Sequence, residues 1–481
     1  MELLKILKDV EILSVNGQVD IDIEDISYDS RKVKQNSMFL CIRGNTVDGH
    51  NYIDDAIQKG AIAILIDKKI SYKKGITYIR VNNVKEVMAI IGKNFFQNPC
   101  QKINLIGVTG TNGKTSTVSF IKQILGYDCK VGSIGTIEIY DGKKTITSIN
   151  TTPENLDIQK NLNEMIKNNC KYCVMEVSSH ALVLNRIDNI DYEAAVFTNL
   201  TQDHLDYHKT LENYANAKRI LFTKTRNDKI AIINGDDEHY QHFVLESNNN
   251  IIIGQHDSDV KILEMSFSHL GTIFKFEYLN HEYQARLNMV GRYNIYNYLI
   301  ALLLVNKLGV KIEDILALND KLKAPAGRME LLKYGTNSIF VDYAHTPDAV
   351  INVLKSAEEF KNGRIITIIG CGGDRDATKR PIMGKAALEH SDYVIFTSDN
   401  PRSEDPQMIL DDITNGLSGS NFEIEVDRQK AIIKGMQQLK HNDILMILGK
   451  GHEDYQITKT GKHHFSDQEE VMKYITKQGT L

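Results

Sequence analysis

Residues 103–116 read INLIGVTGTNGKTS, and this stretch decides the class of fold. An apolar run, 103–108, has the composition of a buried strand; a glycine-rich loop follows, and Lys114-Thr115-Ser116 open a helical segment. Glycines let backbone N–H groups close around phosphate oxygens, and a helix N-terminus adds favourable dipole charge. Gly110, Thr111, Asn112 and Gly113 therefore form a candidate phosphate cradle. Lys114 is placed to reach the β- and γ-phosphates of ATP, with the Thr115 hydroxyl on Mg²⁺ and Ser116 in the first turn. The spacing departs from G-x-x-x-x-G-K-[ST] at Val108, so the working unit is Gly110–Ser116. The strand–loop–helix setting speaks against a glycine turn followed by a chance Lys-Thr pair.

Outward from this loop, short β-rich runs recur at 172–177, 194–197, 230–234, 339–343, 365–370, 393–398 and 444–448, each followed by a helix-like segment. Such alternation predicts an α/β protein with parallel sheets covered on both faces. Pro99 and Pro325 stand in connecting stretches and divide the chain into segments 1–98, 99–325 and 326–481.

Composition narrows the class further. The chain has 481 residues, with 57 Lys+Arg against 62 Asp+Glu, a formal charge of −5. That balance excludes attachment to nucleic acid by bulk electrostatics. A hydrophobic content of 42% excludes a disordered chain. The longest apolar runs, 61–66 and 299–305, are too short to span a bilayer, and the charged start 1–10 does not read as a signal peptide. The six cysteines are scattered apart from Cys170 and Cys173, a C-x-x-C without a second pair or a suitably spaced histidine. This suits buried reduced thiols rather than zinc. The expectation is a soluble cytoplasmic protein with no nucleic-acid or membrane partner.

ATP use alone names no reaction. Glu176 ends the strand of MEVSSH, where a carboxylate can hold Mg²⁺ directly or through water. His204 and His208 stand at i, i+4 in TNLTQDHLDYH, but Leu205 occupies the place where a metalloprotease helix needs glutamate. Taken alone, His204 is either a structural histidine or a ligand.

These motifs in order, GVTGTNGKTS, EVSSHAL, TNLTQDHLDYH, GRYNIYN and the AGRME–VDYAHTPD pair, resemble those of the Mur ligases of peptidoglycan precursor synthesis. DSR (29–31) and DGH (48–50) extend the likeness to the N-terminus. GCGGDRD (370–376), DNPR (399–402) and GKGHEDYQ (449–456) look like the diaminopimelate-adding branch. The resemblance implies three domains: an N-terminal one for the UDP end of the substrate, a central P-loop ATPase-like parallel sheet and a C-terminal Rossmann-like sheet. It implies an ATP-dependent amino-acid ligase. The D-glutamyl γ-carboxylate of UDP-N-acetylmuramoyl-L-alanyl-D-glutamate is phosphorylated, and an amine of meso-diaminopimelate attacks the acyl phosphate to leave amide, ADP and phosphate. A monomer is expected.

It also implies roles. Thr115, Glu176, His204 and Lys218 serve the metal sites, two Mg²⁺ ions in all, with Lys114 completing the catalytic charge. Lys218 matches a lysine that is carbamylated in this family; without the resemblance it is a solvated helix charge. Asn294, Arg328 and Asp342 serve ATP. Ser30, the loop Asn45-Thr46-Val47, Asn150, Thr151, Thr152, Ser178 and Arg186 serve the UDP-linked substrate. Read without the family, Asp29-Ser30-Arg31 is equally a surface turn with a salt bridge, and 150–153 is equally an N-T-T-P turn.

Four C-terminal strands end in polar loops, where ligands of open α/β sheets bind. A substrate with two amino-acid ends needs a cation for its distal carboxylate and an acceptor for its distal ammonium. Arg402 offers a bidentate fork, Arg375 a second cation, Glu453 near Gly449 an acceptor, and Asp399, Asn400 and Pro401 the supporting loop. An arginine aimed at a lysine substrate's ammonium would repel it, which disfavours a lysine-adding ligase. The DSR/DGH segment and DNPR disfavour a folylpolyglutamate-type ligase, and the converging loops disfavour a non-catalytic ATP switch. GKGHE lacks the spacing of a second phosphate loop.

Overall fold

A computed structural model describes residues 1–44, 47–268 and 271–479. The chain forms two compact units, one of Met1–Thr109, Asp128–Ala195 and Ala217–Lys229, the other of Gly110–Tyr127, Val196–Asn216 and Ile230–Leu481. Among the described residues no helix is long and apolar enough to cross a membrane.

In the first unit, five strands form a sheet in the order Ser14–Asn16, Thr77–Arg80, Ala61–Ile66, Ser37–Leu40, Asp25–Ser27. All pairs are parallel except the first. Alternate side chains of Ala61–Ile66 go to opposite faces: Ala63 and Leu65 join Leu3, Ile6, Val84 and Met88, while Ile64 and Ile66 join Ile53 and Ala56. The strand Asn104–Thr109 pairs in parallel with Tyr172–Glu176, and that strand with Val131–Ile134. This register puts Glu176 level with Val108, at the end of the sheet where the phosphate loop departs.

In the second unit, helix Lys114–Leu125 packs along helix Arg292–Lys307, with Phe120 edge-on to Tyr298. The C-terminal sheet runs Glu330–Tyr334, Asn337–Asp342, Ile444–Leu448, Ile365–Ile369, Tyr393–Phe396, Phe422–Ile424, antiparallel only in its first pair. Helices Pro347–Glu358, Lys379–Glu389 and Pro406–Thr414 cover one face, and Arg428–Gln438 and Asp467–Lys477 the other. Fully apolar strands such as IITII and ILMIL are what a sheet buried on both faces requires.

The parallel α/β expectation omits one feature. Val260–Ser268, Gly271–Tyr278 and His281–Leu287 form an antiparallel meander, and Glu138–Tyr140 and Thr145–Thr147 a smaller antiparallel extension. Their polar and apolar residues alternate because one face is solvated, so they lack the continuous apolar run that marks the central strands.

Arg428 is fully buried. It donates through Nε and Nη2 to the equally buried Asp467 at 2.7 Å each, and through Nη2 to Leu448 O at 3.0 Å and Nη1 to Ser398 O at 3.5 Å. One guanidinium thus ties together the ends of two strands that carry the DNPR and GKGHED loops. Replacing it with methionine strands Asp467 in the interior. Arg428→Met is expected to lower unfolding free energy by ~3–5 kcal/mol, read from urea denaturation; a loss below ~1 kcal/mol would contradict the role.

Candidate functional site

The phosphate loop is held open by its own chain and by the segment 198–201. Gly113 takes φ +84° at the head of helix Lys114–Leu125, and a Cβ there would stand 2.5 Å from Asn297 Oδ1. Only glycine fits both demands. Thr111 N donates to Asn199 O (2.8 Å), Asn112 N to Asn199 Oδ1 (2.9 Å), and Thr198 Oγ1 to Asn112 O (2.6 Å). Lys114 Nζ donates to Gly110 O and Thr111 O, both at 2.9 Å, so the ammonium lies across the loop's concavity.

Next to this loop the second unit holds a cavity of about 520 Å³ lined by Asn112, Gly113, Thr115, Ser116, Asn297, Arg328, Asp342 and His345. That volume is within the range of small-molecule sites. Arg328 stacks over Tyr343 at 4.7 Å and donates from Nη2 to Thr115 Oγ1 at 3.4 Å. Asp342 is buried and accepts from Met329 N (2.7 Å) and Ala344 N (2.8 Å); burial raises its carboxyl pKa, and the Arg328 guanidinium opposes that rise. The structure therefore brings Asn112, Gly113, Thr115, Ser116, Arg328 and Asp342 to one cavity.

Asn294 is placed differently: its amide donates to Val290 O (2.8 Å) inside helix Arg292–Lys307, and among the described residues Asn297 lines the cavity instead. The far end, Tyr296 OH on Asp236 Oδ2 (2.5 Å) with Gln255 N also on Asp236 (3.0 Å), carries no sequence motif. Only the i, i+4 spacing of Asn297 from Tyr293 signals their shared face.

A second polar cluster lies in the first unit. The Glu176 side chain, 1% exposed, accepts from Thr136 N (2.8 Å) and Thr136 Oγ1 (3.0 Å). Thr136 Oγ1 meets Thr151 Oγ1 at 3.0 Å. Thr152 Oγ1 donates to Glu176 O (2.9 Å) and accepts from Ser178 N (3.0 Å). Arg186 Nη1 donates to Thr152 O (2.9 Å), and its Nη2 pairs with Glu154 at 2.7 Å. Thr151, Thr152, Glu176, Ser178 and Arg186 are thus one network, and Thr136 is its member that sequence reading missed, sitting in an unremarkable SIGT turn. Asn150 is exposed on its approach.

Lys218, on helix Leu211–Thr223, is 1% exposed, contrary to a solvated helix charge. His204 lies in the second unit at φ +54°, its N–H on Asp203 Oδ1 (2.9 Å) and its ring edge-on to Tyr214. Glu176 and Lys218 belong to the first unit, Thr115 and His204 to the second. Among the described residues no three His, Cys, Asp or Glu side chains gather as a metal site of their own. The Thr115 hydroxyl and the Glu176 carboxylate are each hard oxygen donors of the kind that suits Mg²⁺.

Near the N-terminus, Ser30 is buried and Val47 exposed, and Asn45 and Thr46 lie outside the described residues. Asp29 and Arg31 form the bidentate pair of the turn reading, at 2.9 Å for each contact.

The four polar loops of the C-terminal sheet meet at the carboxyl ends of their strands. Arg402 takes φ +52°, a left-handed conformation that costs an L-residue ~1 kcal/mol, held by Arg402 N on Ile457 O (3.0 Å) and Nη1 on Gly373 O (2.6 Å). Gly373 N donates to Asn400 O (2.9 Å), locking GCGGDRD to DNPR around the buried Pro401. Asn400 Nδ2 donates to Glu453 Oε2 (2.7 Å), and its Oδ1 accepts from Ile457 N (2.8 Å). Gly449 N donates to Asp342 O (3.1 Å), linking this cluster to the cavity that Asp342 lines. Arg375 is exposed at the rim.

Residues 22–96 match the Mur ligase family catalytic domain, 108–305 the Mur ligase middle domain, and 327–451 the Mur ligase glutamate ligase domain. A protein of Fusobacterium nucleatum named UDP-N-acetylmuramoyl-L-alanyl-D-glutamate–2,6-diaminopimelate ligase is 44% identical, over 98% of this chain and 97% of its own. One of Clostridium acetobutylicum named ligase 1 of the same activity is 43% identical over 99% of both. A solved structure of such a ligase superposes with a TM-score of 0.69 at 30% identity, covering 100% of this chain and 99% of the other.

Proposed function

The chain belongs to the Mur ligase family, and from that premise we propose that it adds meso-diaminopimelate to UDP-N-acetylmuramoyl-L-alanyl-D-glutamate. It is an ATP-dependent ligase of peptidoglycan precursor synthesis. What most supports the choice of amino acid is the cluster in which Arg402, Asn400 and Glu453 are interlocked at the strand ends, offering a carboxylate-binding fork beside an ammonium acceptor.

The reaction runs in two steps. The D-glutamyl γ-carboxylate attacks the γ-phosphorus of ATP, the bond to the β-phosphate oxygen breaks, and ADP leaves. An amine of diaminopimelate then attacks the acyl carbon; phosphate departs, the nitrogen gives up its proton, and the amide remains. The first step joins two anions, so positive charge must surround it. Lys114 and the N–H groups at the head of helix Lys114–Leu125 provide it from one side, and Arg328 provides it from across the cavity. Bound Mg²⁺ supplies further neutralisation of phosphate charge; Thr115, Glu176, His204 and a carbamate on Lys218 are the residues proposed to hold it. Thr151, Thr152, Ser178 and Arg186 orient the muramoyl-dipeptide, Ser30 and the 45–47 loop its UDP end. Asn294 acts on the nucleotide through the helix that carries Asn297. Segments 1–98, 99–325 and 326–481 are the corresponding domains.

None of the six cysteines is in a disulfide, which suits the cytoplasm, and the chain is proposed to act as a monomer. Phosphate release with ATP, the UDP-muramoyl-dipeptide and either diaminopimelate or lysine tests the proposal. Release is expected with diaminopimelate and at least ~100-fold less with lysine at equal concentration. A folded enzyme that releases phosphate with lysine equally well would overturn the assignment of amino acid.

A further inference from the structure

Lys450, the second residue of GKGHED, has no place in the scheme above, yet its side chain is 0% exposed. A lysine that deep is rare unless partnered. Its ammonium donates to Tyr455 O and to Glu453 Oε2 (3.2 Å), lies 3.5 Å from Asn400 Oδ1, and faces Asp399 Oδ1 at 3.9 Å. Glu453 takes two further bonds, from Asn400 Nδ2 (2.7 Å) and Tyr455 OH (3.3 Å). Asp399 is buried against Gly449, where a Cβ would meet its Oδ2 at 2.7 Å and φ is +111°. Burial raises the Asp399 carboxyl pKa, and Lys450 and Arg428 are the charges that oppose this. Behind them the Arg428–Asp467 pair is neutral as a whole. Two carboxylates and one ammonium therefore remain, a net charge of −1 on side chains largely removed from solvent. That is the complement of one additional ammonium.

We infer that Lys450 is a positioning residue that holds the Asp399 and Glu453 carboxylates in place, so that this pair accepts the distal ammonium of the incoming diamino acid. The inference rests on the diaminopimelate reading of these loops. Without the lysine, the like charges of Asp399 and Glu453 lack the cation that offsets them, and their repulsion moves the carboxylates apart. Asn400 then loses the neighbour that fixes its amide. Lys450 itself need not touch substrate.

The test compares meso-diaminopimelate with 2-aminopimelate, which keeps both carboxylates and one reactive amine but lacks the distal ammonium. ATP-driven phosphate release by the full chain gives kcat and KM for each. The unaltered enzyme is expected to favour diaminopimelate by about 10⁴-fold in kcat/KM. Lys450→Met is expected to shrink that preference at least ~10-fold through a higher KM for diaminopimelate, with the KM for ATP changed less than ~2-fold. Lys450→Gln, which keeps a donor for Tyr455 O at similar length, carries the same expectation if the methionine variant does not fold. A variant that keeps the full preference, or that raises both amino-acid KM values and that of ATP alike, would overturn the inference. Absence of any preference in the unaltered enzyme would instead overturn the underlying assignment of the ammonium site, and the inference with it.

Discussion

Lys218→Ala is expected to lower kcat by about 1,000-fold, the scale on which loss of one preorganised electrostatic group slows an acyl or phosphoryl transfer. The side chain is 99% removed from solvent on helix Leu211–Thr223, and burial disfavours a charged ammonium. Addition of carbon dioxide to the neutral amine forms an N–C bond, releases a proton and turns the group into an anion with two oxygen ligands. Such a group suits a magnesium site, whereas an ammonium there would be repelled. Two measurements check this. Acetate or formate added to the alanine variant is expected to recover part of the turnover by filling the vacated space with a carboxylate. Intact-mass analysis of the native chain under bicarbonate is expected to show one added carbon dioxide that the variant lacks. Full activity in the plain variant would remove the carbamate from the mechanism.

The second large effect is at Arg402. Its Nη1 donates to Gly373 O at 2.6 Å, which fixes the guanidinium relative to the loop. A bidentate charge-assisted pair contributes ~2–3 kcal/mol, so Arg402→Ala is expected to raise the KM for diaminopimelate about 30- to 100-fold. The KM for ATP is expected to stay within ~2-fold, because the nucleotide cavity is lined by other residues. Steady-state kinetics with each substrate varied separately decides the point; equal increases for both would show that the substitution loosens the loops in general. Arg402→Lys is expected to recover little, since a point charge cannot reproduce the fork.

The phosphate loop was legible from Gly110 to Ser116 because its requirements are local: a strand end, glycines, a helix start and one lysine adjoin in sequence. The polar loops after Asp342, Ile369, Phe396 and Leu448 were legible for a related reason, since each follows an apolar run long enough to mark a buried parallel strand. The meander 260–287 was obscure because a half-solvated strand alternates and resembles a polar connection. Asn294 and Asn297 show a finer limit. Both stand on one helix in one motif, and only the rotation of helix Arg292–Lys307 against helix Lys114–Leu125 puts Asn297 under Gly113 and turns Asn294 to Val290.

Chemistry that depends on neighbours in sequence, including the class of fold, the use of ATP and the charge suited to a two-headed amino acid, was written in the residues themselves. Tertiary structure alone decided which polar side chains lost their water. Lys218 reads without the family as a solvated helix charge, and no motif assigns a role to Lys450 or Arg428, yet all three are buried. Burial is a property of packing rather than of composition, and it turns a surface charge into one that must be paired, modified or put to use.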